Sequence, residues 1–234
     1  MITDCFLVVA ASSLIYLTGL PEHDGSMETA TEPAEHWDQT YRHGDTTRSW
    51  FQSEPVWSLR MLDRVGIGPA DSVIDVGGGS SPLAAALLAC GQSDLTVLDV
   101  SIIGMQAAQQ RLGAAADQVQ WLLGDVRTWQ PPRRYVLWHD RALFHFMISE
   151  QDREAYFQTL ERATDPDRAF AIFATFAPHG PLQCSGLPVT GYDAADLRAA
   201  LGVGWQLIEE DRESHTTPSG RIQPFTWAVF RRQH

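Results

Sequence analysis

Residues 73–79, Val-Ile-Asp-Val-Gly-Gly-Gly, join an apolar run to one acid and three consecutive glycines. Ser80, Ser81 and Pro82 follow and open an apolar helical stretch, Leu83 to Ala89. The pattern predicts a buried strand that turns sharply into a helix, with bare backbone at the turn. Glycine there permits positive φ and the close approach of a ligand. A second acid, Asp99, closes the run Leu95-Thr-Val-Leu-Asp99, at the spacing that suits a carboxylate gripping ribose hydroxyls. Residues of these types at these intervals bind a nucleoside cofactor in a Rossmann-like α/β domain.

The glycines also discriminate between cofactors. A dinucleotide site asks for G-x-G-x-x-G, with a pyrophosphate on the helix N-terminus. Here Gly77, Gly78 and Gly79 are contiguous, and Pro82 stands where the third glycine would fall. Asp75, two residues before the first glycine, would repel a diphosphate. It suits a ligand that presents an amine or a sulfonium. S-adenosylmethionine carries both, together with a ribose and no phosphate. A third run, Val119-Gln-Trp-Leu-Leu-Gly-Asp125-Val126, predicts another strand ending in an acid, and Tyr135-Val-Leu-Trp-His-Asp140 a fourth.

Over about residues 36–232 the chain resembles the class I S-adenosylmethionine-dependent methyltransferases. The resemblance implies that Asp75 orients the methionine part and that Gly77 and Gly79 pass under the cofactor, with Gly78 between them. It implies that Asp99, followed by Val100, holds the ribose, and that Asp125 contacts the adenine amine with the Val126 N–H at the ring. The third glycine usual in that loop is Ser81 here. His36-Trp-Asp-Gln-Thr-Tyr41, Ser49-Trp-Phe-Gln52 and His139-Asp-Arg-Ala-Leu-Phe-His145 resemble the thiopurine methyltransferase and methyltransferase-like branch. Uncharacterised bacterial methyltransferases are similar in their Trp-His-Asp-Arg-Ala segment and in a later Cys-Ser-Gly-Leu-Pro loop, here Cys184 to Pro188.

Ligands in open α/β sheets bind at the carboxyl ends of the strands. His139, Asp140, Arg141 and His145 are therefore expected beside the methyl group, Asp140 and Arg141 orienting the acceptor and either histidine available as a base. Asp140 and Arg141 could instead cap a helix or form an ion pair, and His145 could be a core histidine. Trp37, Tyr41, Trp50 and Phe51 suit a lid that excludes water, with Trp50 placed against the cofactor, where aromatic faces attract a sulfonium. Trp129 could flank adenine or fill the core. The His179–Pro188 loop is long for a compact domain and is assigned to acceptor selection.

The elements that must position these groups alternate. The spacing predicts a helix over 34–41, a helix from Ser53 and Pro55 to about Val65, and strands at 71–76, 94–99, 118–124, 135–139 and 169–176. Helices are expected at 81–90, 102–114, up to about 163, and 194–202 behind Asp193. Runs 205–213 and 223–232, parted by Pro218-Ser-Gly220, predict an antiparallel pair. The expected fold is α/β: a Rossmann-like, doubly wound seven-stranded sheet with an antiparallel C-terminal hairpin, the class I methyltransferase fold.

Composition bounds the rest. A chain of 234 residues, 44% of them hydrophobic, can bury one core, so residues 27–234 are expected to form one domain with its lid at about 34–53. Residues 1–26 read as an extension before a start at Met27: Phe6 to Leu20 is apolar, but no basic residue precedes it. No membrane association is expected, and the location expected is cytoplasmic, where the cofactor is made. A net charge of −12 opposes a nucleic-acid partner. The chain contains no lysine, which excludes Schiff-base chemistry and a Walker lysine. Cys5, Cys90 and Cys184 lie far apart, so no metal site is expected. Three readings follow: methyl transfer to a small molecule, transfer to a protein lysine, or cofactor binding without turnover. The oligomeric state stays open.

Overall fold

The computed structural model describes residues 32–44 and 46–233. The 1–26 extension and the start at Met27 lie outside them. Two helices, α1 (Glu32–Arg42) and α2 (Val56–Val65), precede β1 (Val73–Val76). Helices and strands then alternate, save that a loop alone joins β3 to β4: α3 (Leu83–Ala89), β2 (Leu95–Asp99), α4 (Ile102–Leu112), β3 (Val119–Leu123), β4 (Leu137–Arg141), α5 (Glu150–Ala163) and β5 (Phe170–Phe176). A two-residue pair, β6 (Gln183–Cys184) and β7 (Leu187–Pro188), leads to α6 (Ala194–Leu201) and the long hairpin of β8 (Trp205–Thr216) and β9 (Ile222–Arg232).

The main sheet runs β3-β2-β1-β4-β5-β9-β8, with β9 alone running antiparallel, between β5 and β8. The chain winds outward from β1 through β2 to β3, then crosses back to lay β4 on the other side of β1. That reversal opens a crevice above the carboxyl ends of β1 and β4, the place where such sheets take ligands. Every residue of β1 and β2 is buried, as for strands covered on both faces. On one face α2 and α3 press Met61, Leu62, Leu83 and Leu87 against the sheet; on the other α5 and α6 supply Tyr156, Leu160 and Leu197.

Local signals explain most element ends. Ser101 caps α4 by accepting from the Gly104 N–H, and Ser149 caps α5 by accepting from Asp152. Asp193 and Asp196 form a reciprocal capping box at α6. Ser53 does not cap α2: Pro55 holds that position with no side-chain bond. No helix among the described residues is long and apolar enough to cross a membrane.

One boundary changes the chemistry. β4 extends to Arg141, two residues beyond the expected 139. Side chains alternate across a strand, so His139 and Arg141 share one face while Trp138 and Asp140 share the other. Asp140 is fully buried there. Its Oδ1 accepts from the backbone N–H of Leu143 and Phe144, and its Oδ2 accepts from the Tyr156 hydroxyl at 2.5 Å. That hydroxyl accepts in turn from Trp138 Nε1 at 2.8 Å. Asp140 therefore turns the chain out of β4 and does not orient an acceptor. We predict that Tyr156→Phe, which strands a buried carboxylate oxygen and an indole N–H, destabilises the protein by about 1–3 kcal/mol. An unchanged urea midpoint would show that the bond contributes nothing.

Candidate active site

Asp75 sits inside β1 and is almost fully buried. His139, the next strand's residue in register with it, bonds Asp75 Oδ1 through Nδ1 at 2.7 Å. His139 Nε2 meets the Ser58 hydroxyl of α2 at 3.0 Å. Both ring nitrogens are thereby used, so His139 holds Asp75 in place and is not an open base. Asp75 Oδ2 is buried without a hydrogen-bond partner. A Cβ at Gly78 would fall 2.7 Å from that oxygen, and one at Gly77 (φ +69°) 2.9 Å from Leu143. The glycines are thus a packing requirement of the carboxylate and of the turn.

Two further acids stand at the ends of β2 and β3. Asp99 accepts from the Ser101 backbone at 2.7 Å. Burial pushes its pKa up to about 7, with the fields of Asp75 and Asp38 adding to the rise and the Ser101 and Gly79 N–H groups opposing it. Asp125 is gripped by Arg127, whose Nε and Nη2 donate to its two oxygens while Nη1 reaches Asp152 of α5 at 2.8 Å. Arg127 is pushed above its usual range by the Asp125 bond. Neither Arg127 nor Ser58 stood out in the sequence: Ser58 acquires its role from His139 of β4, and Arg127 joins its near neighbour Asp125 to Asp152 of α5.

The lid is anchored to the same machinery. Asp38 of α1 accepts from the Ser101 hydroxyl at 2.6 Å and from the Ile103 N–H at 3.3 Å. Tyr41 lies directly over the turn: a Cβ at Gly79 (φ +42°) would collide with its hydroxyl, and one at Gly104 would come within 2.8 Å of its ring. Gly79 therefore passes under Tyr41. Arg48 stacks on Tyr41 with 4.1 Å to the ring centroid, and its Nη1 donates to Ser80 Oγ at 3.1 Å. Trp37 meets Trp50 and Phe146 edge-to-face.

Between lid and strand ends lies a cavity of about 310 Å³. Val76, Gly77, Asp99, Val100, Asp125 and Val126 line one part of it; Trp37, Trp50, Arg141 and Phe146 line another. Cys184, Leu187 and Pro188 also line it, brought there by the turn of Ser185 (φ +51°) and Gly186 (φ +78°) between β6 and β7. A smaller pocket of about 50 Å³, bounded by Arg48, Asp75, Gly78, Ser80 and His139, adjoins it. Tyr41, Trp50, Gly77 and Arg141 border both.

Of the four residues expected to face a reacting group, only Arg141 lines the larger cavity. His145 is fully buried; its Nδ1 lies 3.4 Å from the Phe176 N–H, and Phe146 and Phe176 pack on it at 4.6 Å. Burial and the nearby Arg141 charge pull its pKa down to about 3, which leaves a core histidine and no base. Trp129 packs beside Tyr135 in the core. The Cys184 thiol is pushed up to about 11 by burial, so it stays protonated.

The fold is that of the class I methyltransferases. Among solved structures, a SAM-dependent methyltransferase from Anabaena variabilis superposes with a TM-score of 0.67 at 15% identity, over 87% of this chain and 96% of that one. A protein solved in connection with conversion of a disulfide bond into a thioacetal group during echinomycin biosynthesis superposes with a TM-score of 0.67 at 20% identity, over 86% and 93%. The glycopeptide N-methyltransferase MtfA in complex with S-adenosylhomocysteine gives 0.63 at 13% identity, over 88% and 99%. Residues 73–167 match the family model of a methyltransferase domain. Human EEF1A lysine methyltransferase 2 is 34% identical over 97 residues, 38% of this chain and 41% of that protein. The chain thus spans well under half of that relative's length.

The raised pKa of Asp99 has a stability consequence. A carboxyl whose folded pKa exceeds its unfolded value favours the folded state at low pH, and that contribution is lost as pH rises toward about 7. Asp99→Asn is therefore expected to stabilise the unliganded protein, by at most about 4 kcal/mol near pH 8 and only about 1 kcal/mol near pH 4.5. Urea titrations at the two pH values test this. An equal gain at both, or a loss near pH 8, would show that Asp99 is not held against its charge.

Proposed function

We propose that this chain is an S-adenosylmethionine-dependent methyltransferase acting on a small-molecule acceptor. The observation that carries the reading is one cavity whose walls change character along its length. It begins at the acids Asp99 and Asp125, passes the glycine turn, and ends among the lid aromatics and Arg141. The cofactor fits the residues present. The unpartnered Asp75 Oδ2 offers a carboxylate to its ammonium, and Arg48 beside Ser80 offers a cation to its carboxylate. Asp99 and Val100 would take the ribose, and Asp125 and Val126 the adenine. When bound, S-adenosylmethionine supplies a methyl group activated on a sulfonium sulfur.

The protein's part is then positioning and exclusion of water. Trp37, Tyr41 and Trp50 wall the cavity, together with Cys184, Leu187 and Pro188 of the β6–β7 pair. The finer placement beside the thiopurine methyltransferases rests on the His36–Tyr41 and His139–His145 segments. A cytoplasmic site of action follows from where the cofactor is made.

The identity to the human lysine methyltransferase favours a protein lysine as the second reading. Against it stands Arg141, a fixed positive charge at the acceptor end of the cavity, where a lysine would have to approach. Cofactor binding without turnover is the third reading.

Calorimetric titration with S-adenosylmethionine and with S-adenosylhomocysteine tests the proposal. Dissociation constants of ~1–50 μM are expected for both, weakened at least ~10-fold (about 1.4 kcal/mol) by Asp99→Ala. Absence of binding to the wild-type protein would end the methyltransferase reading. Methylation of a lysine peptide and of no small molecule would replace the first reading with the second.

A further inference from the structure

Of the three acids near the carboxyl ends of β1, β2 and β3, Asp125 alone is paired with an arginine among the described residues. The pairing begins in the chain itself. Residues 125–129 form a turn in which the Asp125 carbonyl accepts from the N–H groups of Thr128 and Trp129, at 3.0 and 2.8 Å. The same turn brings the Arg127 N–H to Asp125 Oδ1 at 2.9 Å, an aspartate bonded to the backbone two residues on. The Arg127 side chain then folds back on the same carboxylate. Its Nε lies 3.0 and 3.1 Å from the two oxygens, and Nη2 donates to Oδ2 at 2.5 Å. On the far side Nη1 donates to Asp152 Oδ1 at 2.8 Å, while Asp152 Oδ2 accepts from the Ser149 hydroxyl at 2.6 Å. Ser149 and Asp152 form the N-terminus of α5, so the guanidinium is held from two elements.

The side chains of Asp125, Arg127 and Asp152 keep 16%, 31% and 28% of their surface exposed, and ion pairs so open to water add little to stability. The effect of the clamp is on geometry. A carboxylate offers about four lone-pair positions. The Arg127 N–H takes one at Oδ1, the Nη2–H takes one at Oδ2, and the Nε–H is shared between the oxygens. One position is left. Asp125, Arg127 and Asp152 all line the larger cavity, at the end away from Trp50 and Arg141. The acid therefore meets a ligand in one fixed orientation and with a single acceptor to offer.

We propose that Arg127 sets the base selectivity of the cofactor site. Clamped between Asp125 and Asp152, it leaves the Asp125 carboxylate one acceptor position, which takes an exocyclic amine and rejects a ring carbonyl. This rests on the methyl-transfer reading above, which puts the adenine at Asp125 and Val126, and it names the residue that makes that contact selective. An amine donates into the open position. A ring carbonyl there sets its own lone pairs against the carboxylate, and neither group has a proton to share. Without Arg127 the carboxylate keeps only its backbone bond and turns to water, where an amine gains little over the solvent it displaces. Arg127 acts through Asp125, and so is a positioning residue.

The test is calorimetric titration with three probes: S-adenosylhomocysteine, its 6-deamino analogue with hydrogen in place of the amine, and its 6-oxo analogue. The first two share the ring nitrogen that would meet the Val126 N–H, so their difference isolates the Asp125 contact. The wild type is expected to bind S-adenosylhomocysteine ~10-fold tighter than the deamino analogue, and the oxo analogue weakest. Arg127→Ala should bring the first two within ~3-fold of each other. It should also hold the deamino analogue within ~3-fold of the wild-type affinity, which reports that the variant folds. Arg127→Lys should keep part of the preference, because lysine retains the charge and loses the fork. Asp152→Asn, which loosens the far anchor, should fall between Arg127→Ala and the wild type. The inference is overturned if the preference survives Arg127→Ala, or if that variant weakens every probe by the same factor, as a merely structural role would. If Arg127→Ala does not fold, an unchanged preference in Arg127→Lys overturns it. Equal binding of S-adenosylhomocysteine and the deamino analogue by the wild type overturns it as well, and leaves the methyl-transfer reading standing. A wild type that binds none of the three removes both.

Discussion

Two carboxylates buried side by side near the carboxyl ends of adjacent strands govern the architecture of this protein. Asp75 raises the proton affinity of Asp99, and both have been taken out of water, so the surrounding structure must supply donors or leave their charge unfavourable. It supplies them unevenly. Asp75 receives His139 on one oxygen and nothing on the other; Asp99 receives the Ser101 and Gly79 backbone. What remains unfilled is the capacity to accept from a ligand. A protein that keeps such groups gives up stability for a binding site.

The lid belongs to this arrangement and is not an addition to it. The Ser101 N–H donates to Asp99, its hydroxyl donates to Asp38 of α1, and its carbonyl end starts α4. One serine thus ties the lid helix to the acid that would hold the ribose. Tyr41 then rests on Gly79 and Gly104, where any side chain would displace it. The glycine turn, α4 and the lid must keep their places together, and the cavity beneath them keeps its shape for the same reason. Arg48 and Trp50, carried by the segment after α1, reach the two pockets from this fixed base.

Much of this was legible in the sequence, for identifiable reasons. Asp75, the glycines, Asp99 and Asp125 follow apolar runs whose length and composition admit little but a buried parallel strand, so the sheet and its ligand edge could be placed. Arg141, Asp140 and His145 could not be separated. They depend on where β4 ends, and a two-residue extension moves Asp140 to the face of Tyr156 while it moves Arg141 to the cavity. Alternation makes strand ends decisive and sequence locates them least well. His145 sits in an apolar Phe-His-Phe segment that could have served either purpose, and only the packing of Phe146 and Phe176 decides it. Ser58 and Arg48 carry no local signal, since their partners lie on other elements, and the reach of Arg127 from Asp125 to Asp152 appears only once α5 is in place.

The central claim is that the cavity between Asp99 and Arg141 is a nucleoside site with an acceptor space at its far end. A crystal structure of the full chain grown with S-adenosylhomocysteine tests it most directly. The ribose is expected at Asp99, the amino group at the free oxygen of Asp75, and the sulfur facing the space walled by Trp37, Phe146 and Arg141. Ligand density elsewhere on the molecule, or a ligand bound in the reverse sense with its amino acid at Asp125, would contradict it.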